Sequence, residues 1–465
     1  MKVTRMHHHK FRPEIIAGPI APTLLSLAYP NMLAMLLQTI YSLIDTLLMG
    51  WVGTDELTAI SLSFPISFIL VNFAFGVGVG VNSLVARAIG ARNQEQAEQI
   101  ATQSLLIALV LAGAFTLIGF VFAENIYCFM GAEGRVLELS LSYIKIILLG
   151  NIFLFLQNIG TAILRGEGDM LASSRVMMTA TLVNLGLDPL LIFGLAGLPA
   201  LGVNGAAWAT NLGRITGCLM LLRHFCQQKS SIHLQLRGFR YSSTLTRQLV
   251  ELALPMAFSR LTIPLVSVFL NKLMMSLTPF AVAARGIGSR LDAIAFLPAQ
   301  GLASATVTMV GQNLGAGKNK RARQVVTTAG WLAVGGMAAV GTAFFAMAPV
   351  IIARFSANPQ IGYIGVQYLH IVVFSYPFIA IDMVNNAAFQ GLGLGWPTLV
   401  ITLCRVWALQ LPSAYFFALT LGWGTSGVWF ALVFANALAS MASILLLRYF
   451  LNKKAAALNQ PDRTL

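Results

Sequence analysis

Four acidic side chains fall in the middle of long apolar stretches, Asp45, Asp188, Asp292 and Asp382, and Glu251 lies near the end of another. An ionisable group in hydrocarbon is costly unless paired or hydrated, so each is by default a functional candidate. Gln38, Tyr41 and Asp45 follow at spacings of three and four residues, which puts them on one helical face. Asn184 and Asp188 share a face in the same way, and Pro189 immediately after them removes a backbone donor and frees a carbonyl nearby. Two carboxylates that meet in a low-dielectric bundle repel, so one tends to hold a proton. With amide and hydroxyl oxygens added, the same group could hold Na⁺, a hard cation that prefers oxygen ligands. These residue types leave H⁺ and Na⁺ both open.

Other chemistries lack their residues. Cys128, Cys218, Cys226 and Cys404 show no CxxC spacing, so neither a disulfide framework nor a metal centre is expected. The run His7-His8-His9 is read as a solvated tail in preference to a weak metal site. Gly76, Gly78 and Gly80 follow no strand and sit in an apolar run, so they predict close helix packing and not a phosphate loop. No GxxxxGK[ST] and no nucleophile–base constellation occurs, which argues against an ATP-driven pump, an enzyme and a bound cofactor.

The elements that must carry these residues are set by hydropathy. The chain has 465 residues, 57% hydrophobic and only 10% charged. About twenty apolar residues suffice for a helix to cross a bilayer. Twelve such stretches are readable, over 20–50, 57–85, 97–123, 136–164, 172–196, 200–223, 246–275, 279–310, 323–350, 358–389, 396–420 and 424–451. They are continuous runs, unlike the alternating ten-residue segments of a barrel, so an all-α membrane protein is predicted. The net charge of +14 is unevenly placed. Arg87, Arg92, Arg165, Arg175, Lys318, Lys320, Arg321 and Arg323 fall in connections on one side, together with both ends and the central loop; the other side keeps Arg135, Lys272 and Arg354. This asymmetry predicts both termini in the cytoplasm, and it makes nucleic acid a poor partner for the basic balance.

The sequence also repeats itself at one constant offset. Pro30 matches Pro255, Val85 matches Val310, Gly90 matches Gly315, and Ala162, Gly166 and Gly168 match Ala387, Gly391 and Gly393. Near the end the offset falls by three, and Gly202 and Gly205 match Gly424 and Gly427. The expected organisation is a tail (1–19), a six-helix lobe (20–223), a polar linker (224–245), a second six-helix lobe (246–451) and a tail (452–465). Equal orientation of the halves makes this a parallel repeat, which suits alternating access at a cleft between lobes. Arg260, Arg285, Arg290, Asp292 and Arg405 lie within spans of the second half. They are read as a structural network, with a wall that binds anionic groups as the competing reading.

Here a resemblance becomes specific. The stretch YPNMLAMLLQTIYSLIDTLLMGWVGTDELTAIS resembles the first helix of the multidrug and toxic compound extrusion (MATE) family, and ILRGEGD, NLGLDPLLIFG and GVNGAAWAT resemble its fourth to sixth helices. The similarity covers nearly the whole chain. It implies a monomeric secondary antiporter in the bacterial inner membrane, exporting small amphipathic and often cationic compounds in exchange for H⁺ or Na⁺. By position, Asp45, Asn184, Asp188 and Thr210 resemble the family's cation site, which could take Na⁺. Gln38, Tyr41 and, with less support, Asn158 resemble cavity-lining residues, and Pro30 resembles a first-helix hinge. The seventh span has Arg260 where one branch of the family has an acid. That departure favours the DinF-like branch, with coupling in the first lobe. A lipid-linked precursor flippase or a narrow-substrate metabolite exporter is the alternative.

Overall fold

A computed structural model describes residues 12–458 apart from 198, 228–229, 235–238 and 357; the His7–His9 run lies outside the described residues. A short helix, α1 (Pro13–Ala17), precedes the first half. That half comprises α2 (Ile20–Val52), α3 (Thr54–Gly90), α4 (Gln94–Phe129), α5 (Gly134–Leu149), α6 (Asn151–Glu167), α7 (Met170–Phe193) and α8 (Val203–Cys226). The second half comprises α9 (Ser243–Leu277), α10 (Pro279–Ala295), α11 (Leu297–Gly315), α12 (Asn319–Phe355), α13 (Pro359–Val372), α14 (Tyr376–Leu392), α15 (Trp396–Leu403), α16 (Leu411–Tyr415) and α17 (Gly424–Leu458). Among the described residues nine helices are long and apolar enough to cross a membrane, and two bent pairs, α5–α6 and α10–α11, make further spans. That makes eleven, and α8, 24 residues long but less apolar, stands at the place of the twelfth expected span.

The repeat governs where helices begin. Thr54 and Gly90, the two ends of α3, match Pro279 at the start of α10 and Gly315 at the end of α11. In the same register Gly134 and Asn151, which open α5 and α6, match Pro359 and Tyr376, which open α13 and α14. The copies differ in how they bend. α3 is one continuous helix through Pro65, whereas its counterpart breaks and bends by 46° between Ala295 and Leu297; α5 and α6 meet at 44° around Gly150. α2 and α9 each continue through their matched prolines, Pro30 and Pro255.

The two lobes touch at one end. Ser83 Oγ donates to the Gln390 carbonyl, and Thr308 Oγ1 donates to the Arg165 carbonyl at 2.9 Å. Ser83 and Thr308 are repeat partners, and so are Arg165 and Gln390, so the two bonds are one contact made twice about a pseudo-twofold axis. Gly90 lies against the Gln312 backbone and its partner Gly315 against that of Arg87, an approach no larger side chain would allow. The three glycines of the FGVGVGVN run pack likewise: Gly76 and Gly80 meet α9, and Gly78 meets α6. Every cross-lobe hydrogen bond found among the described residues lies at this end, which also holds Arg87, Arg165 and Lys318. Toward the opposite end no hydrogen bond among the described residues joins the lobes, and we read that side as the mouth of a cleft between them.

The connection between lobes is strapped down. Glu167 accepts from Ser230 Oγ at 2.7 Å and from Ser231, and Gln103 bonds both the backbone of Ser242 and, at 2.7 Å, the hydroxyl of Thr246. Ser230, Ser231 and Ile232 are buried.

Candidate cation site in the first lobe

Three helices meet around the first-lobe acids. α7 packs along both α2 and α8. The close approach of α8 depends on Gly213, where a Cβ would stand 2.7 Å from the Ala180 carbonyl and 3.1 Å from Asn184 Cβ. One turn earlier on α8, Thr210 reaches Asn184.

Asp188 is fully buried and Asn184 is 7% exposed. The amide orientation that satisfies the surroundings turns the Asn184 NH₂ toward both Asp188 oxygens, at 3.0 and 3.2 Å. Its carbonyl oxygen then accepts from the Tyr41 and Thr210 hydroxyls, at 3.1 and 3.3 Å. Asp45 lies one turn from Tyr41 on α2, half-buried, and makes no hydrogen bond with a described residue. Its charge nevertheless acts on Asp188, Tyr41 and Tyr143. Toward the cleft's open end, Leu48, Met49, Ile192, Val203 and Ala206 form an apolar cluster against Tyr143, so the polar group is capped on that side.

The arrangement supplies a buried carboxylate, a half-buried one near it, an amide and two hydroxyls. These are hard oxygen donors, which can exchange a proton or hold an alkali cation. A bound cation would need the Asn184 amide to turn its oxygen toward the carboxylates, whereas a proton would leave it as it stands.

Of the residues singled out from sequence, Tyr41, Asn184, Asp188 and Thr210 are brought together, with Asp45 beside them. Gln38 shares the face of Tyr41 but is exposed. Asn158 bonds its own helix, donating to the Leu154 carbonyl at 3.0 Å, and does not join the group. Pro30 lies far along α2 toward the touching end, in a helix that is continuous through it. Two members were missed. Tyr143 on α5 sits near both acids, and Arg214, four residues after Thr210 on α8, sits near Tyr41 and Tyr143 and donates to Asn211 Oδ1 at 3.3 Å. The repeat held a signal for Tyr143, because its partner Tyr368 also serves an acid. Tyr368 and Tyr376 donate to the two oxygens of Asp292, at 2.6 and 2.7 Å. Asp382 pairs with Arg405 at 3.5 Å, and Arg405 also bonds Asn436 at 3.3 Å. Much of the second-lobe charge is thus tied into local networks, as the sequence suggested.

A multi-spanning helical bundle made of two like-oriented lobes, with buried acids in one lobe, has the architecture of a membrane transporter. The sequence model of the MatE family matches residues 30–190 and 255–416, one stretch in each lobe. The chain belongs to that family, and it is an integral multi-pass membrane protein. It is 30% identical over 87% of its length to a FAD transporter of Shewanella oneidensis, covering 90% of that protein. It is 28% identical over 83% of its length to the probable multidrug resistance protein YoeA of Bacillus subtilis, covering 84% of it. A solved structure of a multidrug resistance MATE family transporter of the MOP superfamily, in its outward-facing conformation, superimposes with a TM-score of 0.90 at 28% identity, covering 95% of this chain and 98% of that one.

Proposed function

We propose that this transporter is an antiporter that exports small amphipathic compounds in exchange for H⁺ or Na⁺ taken up at Asp45, Asn184, Asp188 and Thr210. The observation that carries the reading is the Tyr41–Asn184–Asp188–Thr210 network, with a second carboxylate, Asp45, beside it and without a hydrogen-bond partner. A carboxylate within the membrane that has no salt bridge to a described residue invites an exchangeable cation. Gln38, Tyr41 and Asn158 line the route, and Pro30 is the hinge by which α2 responds to occupation. The basic, touching end of the lobes is cytoplasmic by the positive-inside rule, with both termini there and the cleft open outward. The membrane is a bacterial inner membrane and the working unit a monomer. Coupling needs the ion to bind the two states unequally, and bending of α2, the helix that carries both Pro30 and Asp45, is the proposed source of that difference.

The test is efflux of a fluorescent compound from proteoliposomes under a pH gradient alone and a Na⁺ gradient alone. Asp45→Asn and Asp188→Asn are each expected to abolish the gradient-driven component while the protein still elutes as a monodisperse species. Normal coupled export by both variants would remove the site from the mechanism. A second reading, a narrow-substrate metabolite exporter, is favoured by the 30% identity to a FAD transporter.

A further inference from the structure

Arg260 stands out among the intramembrane charges. Its guanidinium lies over the Phe75 ring, 3.7 Å from the centroid, and Phe75 belongs to α3 of the opposite lobe. No carboxylate or hydrogen-bond acceptor among the described residues pairs with it. The contrast is with Arg405, which has Asp382, and with Arg285, which has neutral partners and Asp292 nearby.

Its position is as telling as its isolation. Just below it, toward the touching end, α3 and α9 are in close contact where Gly76 meets Ala253 and Ala257. Arg260 thus sits on the floor of the cleft, at the level where the lobes begin to part. Ser267 and Asn271 follow it at spacings of seven and four residues, on the same face of α9. Arg285 reaches across from α10 to this stripe, donating to Asn271 Oδ1 at 3.0 Å and Ser267 Oγ at 3.3 Å. Arg260 and Asn271 are exposed. A polar stripe on a membrane span faces water in preference to lipid, and because the ring over Arg260 comes from the opposite lobe, we read the stripe as facing the cleft between the lobes.

A guanidinium in a membrane protein is normally paired. One that is exposed on a cleft floor, held by an aromatic face and without a counter-ion, takes its counter-ion from what enters the cleft. We infer that Arg260 is the anchor for an anionic group of the exported compound, with Phe75 as the adjoining aromatic platform and Arg285 farther up the same wall. The planar fork of arginine suits a phosphate or carboxylate bidentately, so the substrate class is an aromatic ring system bearing such a group. This rests on the reading of the cleft as the substrate path, and it narrows that reading.

The experiment is binding of flavin mononucleotide and of riboflavin to the purified full chain in detergent, followed by flavin fluorescence. The two probes share a ring and differ in the phosphate. Wild type is expected to prefer the phosphorylated probe by about tenfold or more, the scale of a hydrogen bond to a charged group. Arg260→Gln is expected to collapse that preference toward one, and Arg260→Lys to keep part of it. High salt should weaken the preference in wild type and leave Arg260→Gln unaffected. Equal loss of both probes in Arg260→Gln would mark the residue as a staple between lobes, and no preference in wild type would mean it reads no anion; either overturns the inference. Binding is measured without a gradient. If the preference holds but no gradient drives export, the coupling site fails and the anchor stands.

Discussion

At the scale of single residues, the two first-lobe acids are not equivalent. Asp188 is fully buried and held by the Asn184 amide, whereas Asp45 is half-buried and without a hydrogen bond. The proposed exchange therefore falls on Asp45, with Asp188 as the group that fixes its surroundings. In the same proposal Asn184 is the residue that discriminates between ions, because its amide offers NH₂ in one orientation and oxygen in the other. In Asn184→Ala, Na⁺-driven export should need about tenfold more Na⁺, the scale of one charge-assisted bond. Proton-driven export should survive with a changed pH profile. The sign of the pH dependence follows from the direction of exchange. In the proposed proton exchange the site fills from the cleft side, so raising external pH should empty it and slow proton-driven export in wild type, and Asp45→Asn should be flat over the same range. Radiotracer or fluorescence efflux from the same vesicles checks both.

At the scale of elements, the site exists because α8 can lie close to α7. Gly213 is the contact that permits it. Gly213→Val should force the helices apart at the level of Asn184, destabilise the protein by about 1–3 kcal/mol as overpacking does, and remove coupled export. A Cβ added at Gly186 on α7 would meet nothing within 4 Å. Gly186→Ala should be tolerated, or raise stability by up to about 1 kcal/mol through helix propensity. Thermal unfolding of the two variants in detergent separates a packing glycine from an idle one. The sequence showed Gly76, Gly78 and Gly80 as packing residues from their setting in an apolar run. Nothing in it ranked Gly213 above Gly186, since the partner surface comes from another helix.

At the scale of the whole molecule, closure of the basic end is symmetric. Ser83 and Thr308 each secure a helix end of the other lobe. Removing one neutral hydrogen bond is worth about 1 kcal/mol, or about a fivefold change in the ratio of closed to open forms. Ser83→Ala and Thr308→Val should each raise labelling of a cysteine placed at Val85 by about that factor, with the double variant showing roughly the product. Equal labelling in all forms would mean that the touching end is held by glycine packing alone.

The sequence by itself determined the spans, their count, the internal repeat that matches Pro30 with Pro255, the uneven basic charge and the acids worth attention. All of these follow from local hydropathy, helical period and self-comparison, which need no knowledge of neighbours. Only the tertiary structure decided which faces meet. It joined Tyr143 and Arg214 to the site, turned Asn158 back on its own helix, strapped the central connection to the first lobe, and left Arg260 without a counter-ion among the described residues. Those outcomes depend on contacts between helices far apart in sequence, where a glycine or a carbonyl on one sets how near the next can come, and periodicity along one helix carries no record of that.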